Sequence, residues 1–251
     1  MIGTVRGAGY TLGMSALAMG RLAIGRDVVA DMTKAWAQGM CERLAIDVRT
    51  HGVDEVAWDR PYVLVANHQS YLDIMALYRA LPRPFGMVAK RELFAVPFFS
   101  GVMRSLGCVS IDRSRGTSAK KSLAQAAKQV REGASIVVFP EGTRSLGDRI
   151  QPMKKGPFHL IDAARAPVLP IGITGTAKLM SRDGVGIRSG TIEVRVGKPF
   201  EMEGESGSAS RKRLAERVRA ALCELTGLPA VPALEQRAPP NQLRVAAGGA
   251  K

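Results

Sequence analysis

Short apolar runs rich in β-branched residues alternate with helix-like segments through most of this chain of 251 residues. The apolar runs predict strands at 62–66, 85–89, 109–111, 135–139, 168–173 and 191–196. Apolar residues at helical spacing predict helices over 70–81, 117–132, 156–165 and 211–225. Such alternation needs helices to cover a sheet. The fold class predicted is therefore α/β, with a mixed or mostly parallel sheet flanked by helices.

The first fifty residues carry a different pattern. Between Leu12 and Leu44, apolar residues recur at mixed helical spacing and are interrupted by Arg21, Arg26, Lys34 and Arg43. This pattern predicts one or two amphipathic helices at a membrane interface. A helical hairpin packed on the protein's own core is one alternative, and a secretory signal is another. The uncharged stretch 7–20 is too short and too rich in glycine to span a bilayer.

These patterns divide the chain into three parts. Residues 1–50 are predicted to form the amphipathic, membrane-interface helices that precede the sheet. Residues 51–228 form the predicted α/β catalytic domain. The composition then turns to Pro, Ala, Gly and Gln, which predicts a flexible tail over 229–251.

The charge balance is strongly basic, with 36 Lys and Arg against 22 Asp and Glu and a net charge of +14. Such a surface attracts polyanions, so a basic nucleic-acid-binding protein is one candidate function. An aromatic content of only 5%, with no recognisable binding module, disfavours that candidate. The cysteines Cys41, Cys108 and Cys223 form no CxxC pair, which favours a reducing compartment and disfavours a disulfide framework or a zinc site.

A histidine and an aspartate, His68 and Asp73, lie where the first predicted strand of the domain passes into a helix. Site residues in open α/β sheets commonly lie at strand ends. Asp73 can accept a hydrogen bond from one imidazole nitrogen and leave the other nitrogen free as a base. Alternatively, Asp73 only completes a capping box with Ser70 as the N-cap of the helix.

A second polar cluster directly follows the clearest predicted strand. It is the run Phe-Pro-Glu-Gly-Thr-Arg-Ser over 139–145, and Lys-Lys-Gly follows at 154–156. Gly142 allows a tight backbone turn, and Arg144 can bind a phosphate or a carboxylate through two nitrogens. A polar turn with a solvated arginine is the alternative interpretation.

In their order, these pieces resemble the glycerolipid acyltransferase family of the lysophosphatidic acid acyltransferase type. Residues 67–73 resemble its NHxSxxD motif, 139–145 match its FPEGTRS motif, and 154–156 match the KKG that follows. Residues 89–93 with Pro97 resemble its AKxEL…P segment, and 168–173 its proline-centred motif. Residues 107–113 resemble its GxxFIDR motif, with Ser110 where an aromatic residue is usual.

The resemblance implies a role for each matching residue. His68 would be the general base that takes a proton from the acceptor hydroxyl as it attacks a thioester, and Asp73 would orient His68. Neither an acyl-enzyme nor a metal is implied. The implied substrate-binding residues are Lys90, Arg113, Glu141, Gly142, Thr143, Arg144 and Pro170.

The reaction implied is transfer of a fatty acyl chain to 1-acyl-glycerol-3-phosphate, which gives phosphatidic acid. The acyl donor would be acyl-CoA or acyl-ACP as co-substrate, with no bound cofactor, and an anionic membrane surface would be a partner. The expected location is the cytoplasmic face of a membrane. Two alternative hypotheses keep the reaction class, with either a lyso-ornithine lipid as acceptor or a role in lysophospholipid remodelling. A third is a membrane-surface protein of the same fold without catalytic activity.

Overall fold

The computed structural model describes residues 2–21, 26–112, 116–181 and 186–232. Arg113 and nearly all of the predicted tail, from residue 233 onward, lie outside the described residues.

Within these ranges the chain forms a seven-stranded sheet of order β1-β7-β6-β2-β5-β3-β4. Neighbouring strands run parallel, except that β6 and β7 are antiparallel. This sheet confirms the predicted fold class. The strands are β1 Ile46–His51, β2 Val63–Ala66, β3 Phe85–Lys90, β4 Val109–Ile111, β5 Ser135–Val138, β6 Val168–Thr174 and β7 Gly190–Val196.

Helices cover both faces of the sheet, because the side chains of alternate strand residues pack into two separate hydrophobic cores. Leu64 and Ala66 of β2 pack in the core beneath the first four helices, whereas Val63 and Val65 pack in the core beneath the later ones. The helices are α1 Ile2–Gly20, α2 Arg26–Leu44, α3 Leu72–Ala80, α4 Phe99–Ser105, α5 Gly116–Arg131, α6 Lys155–Ala164, α7 Thr176–Leu179 and α8 Ser208–Thr226, with a 3₁₀ helix at Arg91–Ala95.

The N-terminal segment forms a helical hairpin that packs on the protein's own core. From α2, Val29, Ala37 and Met40 are buried in the core shared with α3 and α4. The indole N–H of Trp36 donates to the Thr11 hydroxyl of α1 at 3.0 Å. Packing on the core is thus the alternative that the structure shows. None of the helices in the described ranges is both long and apolar enough to cross a membrane, and contact with a membrane surface stays a prediction.

Strand β1 was not predicted. Its sequence Ile-Asp-Val-Arg-Thr-His is mostly polar, because the strand lies at the edge of the sheet and only Ile46 is buried. It pairs with β7, so the sheet begins at Ile46, before the predicted boundary at residue 51. The short helices α4 and α7 were also not predicted, because Gly101 interrupts the first and the second has only four residues.

Strands β2, β3, β4, β5 and β6 are mutually parallel, so their carboxyl ends lie at one edge of the sheet. We call the loops at this edge, residues 67–71, 91–98 and 139–154, the carboxyl edge. In open α/β sheets this edge is where ligands bind.

Candidate active site

Asp73 lies in the first turn of α3 and is completely buried. Its Oδ2 accepts a hydrogen bond from Nδ1 of His68 at 2.7 Å and from the backbone N–H groups of Gln69 at 2.7 Å and Ser70 at 2.9 Å. The bond from Ser70 is the capping interaction that the sequence offered as an alternative, so this carboxylate both caps the helix and holds the histidine. The helix itself begins one residue later than that cap implied, with Tyr71 at the N-cap position.

His68 presents its second ring nitrogen away from this carboxylate. Since Nδ1–H donates to Asp73, the lone pair lies on Nε2, and no hydrogen bond to Nε2 forms within the described residues. The Phe139 ring stacks on the imidazole with centroids 4.1 Å apart and fixes its plane. The His68 side chain is 16% exposed, and Nε2 is not among the fully buried, unpaired side-chain atoms of the described residues. A fixed tautomer with an open nitrogen is the arrangement that general-base catalysis needs.

Glu141 ties the two motifs together through the backbone. One of its carboxylate oxygens accepts the His68 N–H at 2.7 Å, and the other accepts the Gln151 N–H at 2.9 Å. Only 2% of the residue is exposed, and burial raises the pKa of its carboxyl to about 7. This placement favours a positioning role for Glu141 over the direct substrate contact that the resemblance implied.

Residues 142–144 of this loop are partly or fully exposed, whereas Ser145 is buried. Gly142 has φ of +70°, a conformation that strains other residues, and a Cβ there would lie 3.0 Å from Cγ of Lys154. Thr143 is exposed, and the Arg144 guanidinium lies over the Tyr71 ring at 4.0 Å. The Ser145 N–H donates to the His68 carbonyl at 2.7 Å. The loop therefore places a guanidinium over Tyr71, three residues after the histidine.

The remaining predicted site residues are placed differently. Lys90 is exposed at the end of β3, on the same edge of the sheet as His68. Pro170 is buried inside β6, opposite Val65 of β2, so it shapes the sheet beneath the site. Arg113 lies outside the described residues. Its neighbour Asp112 pairs with Arg91 at 3.2 Å.

Asn67 is a site residue whose role sequence reasoning missed. Its side-chain N–H donates to the Ile173 carbonyl at 2.8 Å, and its Oδ1 accepts the Ile173 N–H at 2.7 Å. The amide thus continues the pairing of β2 with β6 by one step and fixes the backbone that leads into His68. An asparagine directly after a buried strand was the available signal.

An apolar cavity of about 70 Å³ lies between the hairpin and α3. Cys108 also lines it, and burial raises the pKa of this thiol to about 12, so the thiol stays protonated. The volume equals the space of roughly two water molecules. Its other walls include Met14, Met32, Trp36, Ile74, Tyr78 and Met103.

Comparison with known proteins gives consistent matches. The chain is 36% identical over 163 residues to a 1-acyl-sn-glycerol-3-phosphate acyltransferase of Saccharomyces cerevisiae, covering 64% of this chain and 54% of that protein. It is 33% identical to the human alpha form, covering 69% of this chain and 62% of the relative. The chain thus spans little more than half the length of these curated relatives.

A solved structure resembles the fold. It is the crystal structure of the 1-acyl-sn-glycerophosphate acyltransferase PlsC from Thermotoga maritima, with a TM-score of 0.69, 28% identity and 80% of each chain covered. The family model described as Acyltransferase matches residues 47–174, which contain His68, Asp73 and the 139–145 loop. The chain therefore belongs to the acyltransferase family.

Proposed function

We propose that this protein transfers a fatty acyl group from a thioester donor to the free hydroxyl of 1-acyl-glycerol-3-phosphate, giving phosphatidic acid. The observation that carries the proposal is the pair of His68 and buried Asp73, with an open Nε2 beside the 139–145 loop. The names of the matched relatives support the same acceptor.

In the proposed reaction, Nε2 of His68 accepts the hydroxyl proton as the hydroxyl oxygen attacks the thioester carbonyl. The carbon–sulfur bond of the tetrahedral intermediate then breaks, and the imidazolium returns its proton to the leaving thiolate. Asp73 stabilises the imidazolium between the two steps. The products are an ester and a free thiol, so no group on the protein is consumed.

The acceptor's phosphate would bind at the cations of the carboxyl edge. Arg144 lies over Tyr71 in the loop that follows His68, and Lys90 is exposed at the same edge. Arg113 and the hydroxyl of Thr143 complete the proposed set. A guanidinium can bind two phosphate oxygens at once. Such a contact would orient the glycerol backbone and also compensate the negative charge of the phosphate.

The acyl chain would enter the apolar cavity beside α3. Ile74, which follows Asp73 in the helix, lines this cavity. As it stands the cavity holds only the space of roughly two waters, so a whole fatty chain would have to displace side chains of α1 and α2. The donor would be acyl-CoA or acyl-ACP, and the enzyme would work at a membrane surface, where the acceptor lies.

A thiol-release assay tests the acceptor. With acyl-CoA as donor, free thiol should form with 1-acyl-glycerol-3-phosphate and should be much slower with 1-acylglycerol, which lacks the phosphate. Arg144→Gln should weaken the preference between the two, whereas Lys212→Gln on α8 should leave it unchanged. Equal rates with both acceptors in the unaltered protein would contradict phosphate recognition.

A further inference from the structure

A polar cavity of about 570 Å³ lies at the amino ends of the neighbouring strands β2, β5, β3 and β4. Its walls come mainly from the segments that lead into these strands, residues 58–60, 83–86, 104–107 and 132–135, which we call the amino edge. His68 follows the other end of β2, so this cavity is separate from the candidate active site. Pockets that bind small organic ligands commonly have volumes of about 300–1,000 Å³.

Three arginines line this cavity, and each comes from a different segment of the amino edge. They are Arg60 before β2, Arg83 before β3 and Arg104 before β4. The Arg60 guanidinium pairs with Glu201 at 2.7 Å. The side chains of Arg83 and Arg104 form no hydrogen bond or ion pair with any residue that the structure describes. Two guanidinium groups are therefore available to a ligand, and a guanidinium matches the geometry of phosphate oxygens.

A buried side-chain oxygen on the cavity wall also has no partner. Gln129, near the end of α5, lines the cavity, and its Oε1 is fully buried without a hydrogen bond to any described residue. An unpaired buried acceptor costs free energy, and a ligand that donates an N–H or O–H to it removes this cost. The wall therefore favours a ligand that carries donor groups in addition to an anion.

Three carboxylates complete the polar lining. They belong to Asp27 in the first turn of α2, Asp59 beside Arg60, and Glu132 just after α5. These charges oppose those of the arginines and disfavour a bare inorganic anion. Carboxylates accept hydrogen bonds from sugar hydroxyls, as in dinucleotide-binding sites.

Apolar side chains form another part of the wall. Trp58 is partly buried, Phe85 and Leu106 are buried, and all three line the cavity. The indole N–H of Trp58 donates to the Val53 carbonyl at 2.9 Å, which holds the ring in place. Fixed aromatic and aliphatic side chains suit a planar ring in the ligand.

We infer that the amino edge binds a nucleoside monophosphate. The phosphate binds Arg83 and Arg104, the ribose hydroxyls donate to the carboxylates, and the base donates an N–H to Oε1 of Gln129. A nucleotide unites the anion, the hydroxyl donors and the planar ring that the lining groups favour. This site lies at the opposite end of the strands from the acyl transfer in the proposed function.

Isothermal titration calorimetry of the full chain tests the inference without turnover. The probes are AMP, CMP, GMP and UMP, each compared with its nucleoside and with inorganic phosphate. At least one nucleotide should bind. Its nucleoside and inorganic phosphate should each bind at least roughly tenfold more weakly, because each lacks one set of contacts.

Three variants locate the nucleotide on the protein. Arg83→Gln and Arg104→Gln should each weaken binding at least roughly tenfold, because each removes hydrogen bonds to a charged group. Gln129→Leu should weaken it several-fold. Arg188→Gln is the matched control, because Arg188 is also exposed, has no side-chain partner among the described residues and does not line the cavity. Thermal unfolding of each variant checks that it is folded.

Any of three results would overturn the inference. The first is that none of the four nucleotides binds, and the second is that inorganic phosphate binds as tightly as the nucleotide. The third is that Arg144→Gln weakens binding while the two arginine variants of the amino edge do not, which would place the nucleotide at the carboxyl edge. Binding should be unchanged in His68→Ala, so failure of the proposed function would leave this result standing.

Discussion

At the scale of single residues, one buried carboxylate oxygen organises the site. Oδ2 of Asp73 holds the imidazole of His68 and two backbone N–H groups, so the same atom sets the tautomer and the start of α3. The helix cap and the catalytic orientation are therefore not competing interpretations of the sequence. Both describe the same group.

Asp73→Asn should retain the fold but lose most of the activity. An amide can still accept backbone hydrogen bonds, but its NH₂ group favours the wrong histidine tautomer, as in serine proteases, where the same change costs about 10⁴ in kcat. Steady-state kinetics with 1-acyl-glycerol-3-phosphate and acyl-CoA would measure the loss, with circular dichroism as the control for folding. Activity within a few-fold of the unaltered protein would contradict the assigned role.

Glu141→Gln should change how stability depends on pH. Burial raises the pKa of Glu141 from 4.5 to about 7 in the folded state. A carboxyl whose pKa is higher in the folded than in the unfolded state stabilises the fold when it is protonated. This contribution is fully present below pH 4.5 and is lost as pH rises through about 7. It amounts to roughly 3 kcal/mol.

Urea unfolding at pH 5 and pH 8 would measure this effect. The free energy of unfolding of the unaltered protein should fall more between these values than that of Glu141→Gln, which cannot titrate there. Identical pH dependence in the two proteins would show that Glu141 does not titrate in this range.

Sequence reasoning predicted the residue types of the site better than their contacts. The spacing of His68 and Asp73 was enough to predict their hydrogen bond, because a strand end and the first turn of the next helix are necessarily close. Nothing in the spacing predicted that Phe139 stacks on the imidazole or that Glu141 binds two backbone N–H groups. The contacts of His68 with Phe139 and Glu141 join segments more than seventy residues apart and depend on how β2 and β5 pair.

At the scale of elements, the site depends on the register of the central strands. Asn67 fixes β6 against β2 just before His68 through two buried hydrogen bonds. The buried β-branched runs made these central strands predictable. The edge strand β1 was missed for the opposite reason, since its mostly exposed residues carry no apolar run.

Asn67→Ala should destabilise the protein by about 3 kcal/mol, because it leaves the N–H and C=O of Ile173 buried and unpaired. Chemical denaturation would measure the loss of unfolding free energy. The variant should also lose activity, because the backbone that leads into His68 would no longer be fixed. A destabilisation below about 0.5 kcal/mol would show that the amide does not hold the two strands.

Met32→Phe should shift the preferred acyl chain to a shorter one. Met32 belongs to α2 and lines the apolar cavity without being fully buried, so a larger ring can narrow the cavity. The ratio of kcat/KM for long to short acyl-CoA should fall about tenfold. This is the discrimination that one or two methylene groups give in an apolar pocket. Met32→Leu is the control, and an unchanged ratio in Met32→Phe would place the chain elsewhere.

At the scale of the whole molecule, the fold separates two surfaces. The hairpin of α1 and α2 covers one face of the sheet, while α5, α6 and α8 cover the other with many exposed lysines and arginines. The carboxyl edge, with its exposed apolar side chains, runs between them. A net charge of +14 then acts on any polyanionic donor or membrane that approaches.

Catalysis with acyl-CoA should therefore weaken as salt is added. Raising the ionic strength from about 0.05 M to about 0.5 M should lower kcat/KM several-fold, because the screening length shrinks below the size of the basic surface. An uncharged acyl-pantetheine thioester should show little change under the same conditions. If kcat/KM depended on salt equally for both donors, long-range attraction between the basic surface and the nucleotide part of acyl-CoA would be excluded.

The proposed function depends on His68 as the base in acyl transfer to 1-acyl-glycerol-3-phosphate. Mass spectrometry of the products tests it most directly, with the unaltered protein and His68→Ala given this acceptor and acyl-CoA, and separately acyl-ACP. Phosphatidic acid should form with at least one donor, and its formation should be at least about 10²-fold slower with the variant. Phosphatidic acid formed equally by both proteins, or by neither with any donor, would contradict it.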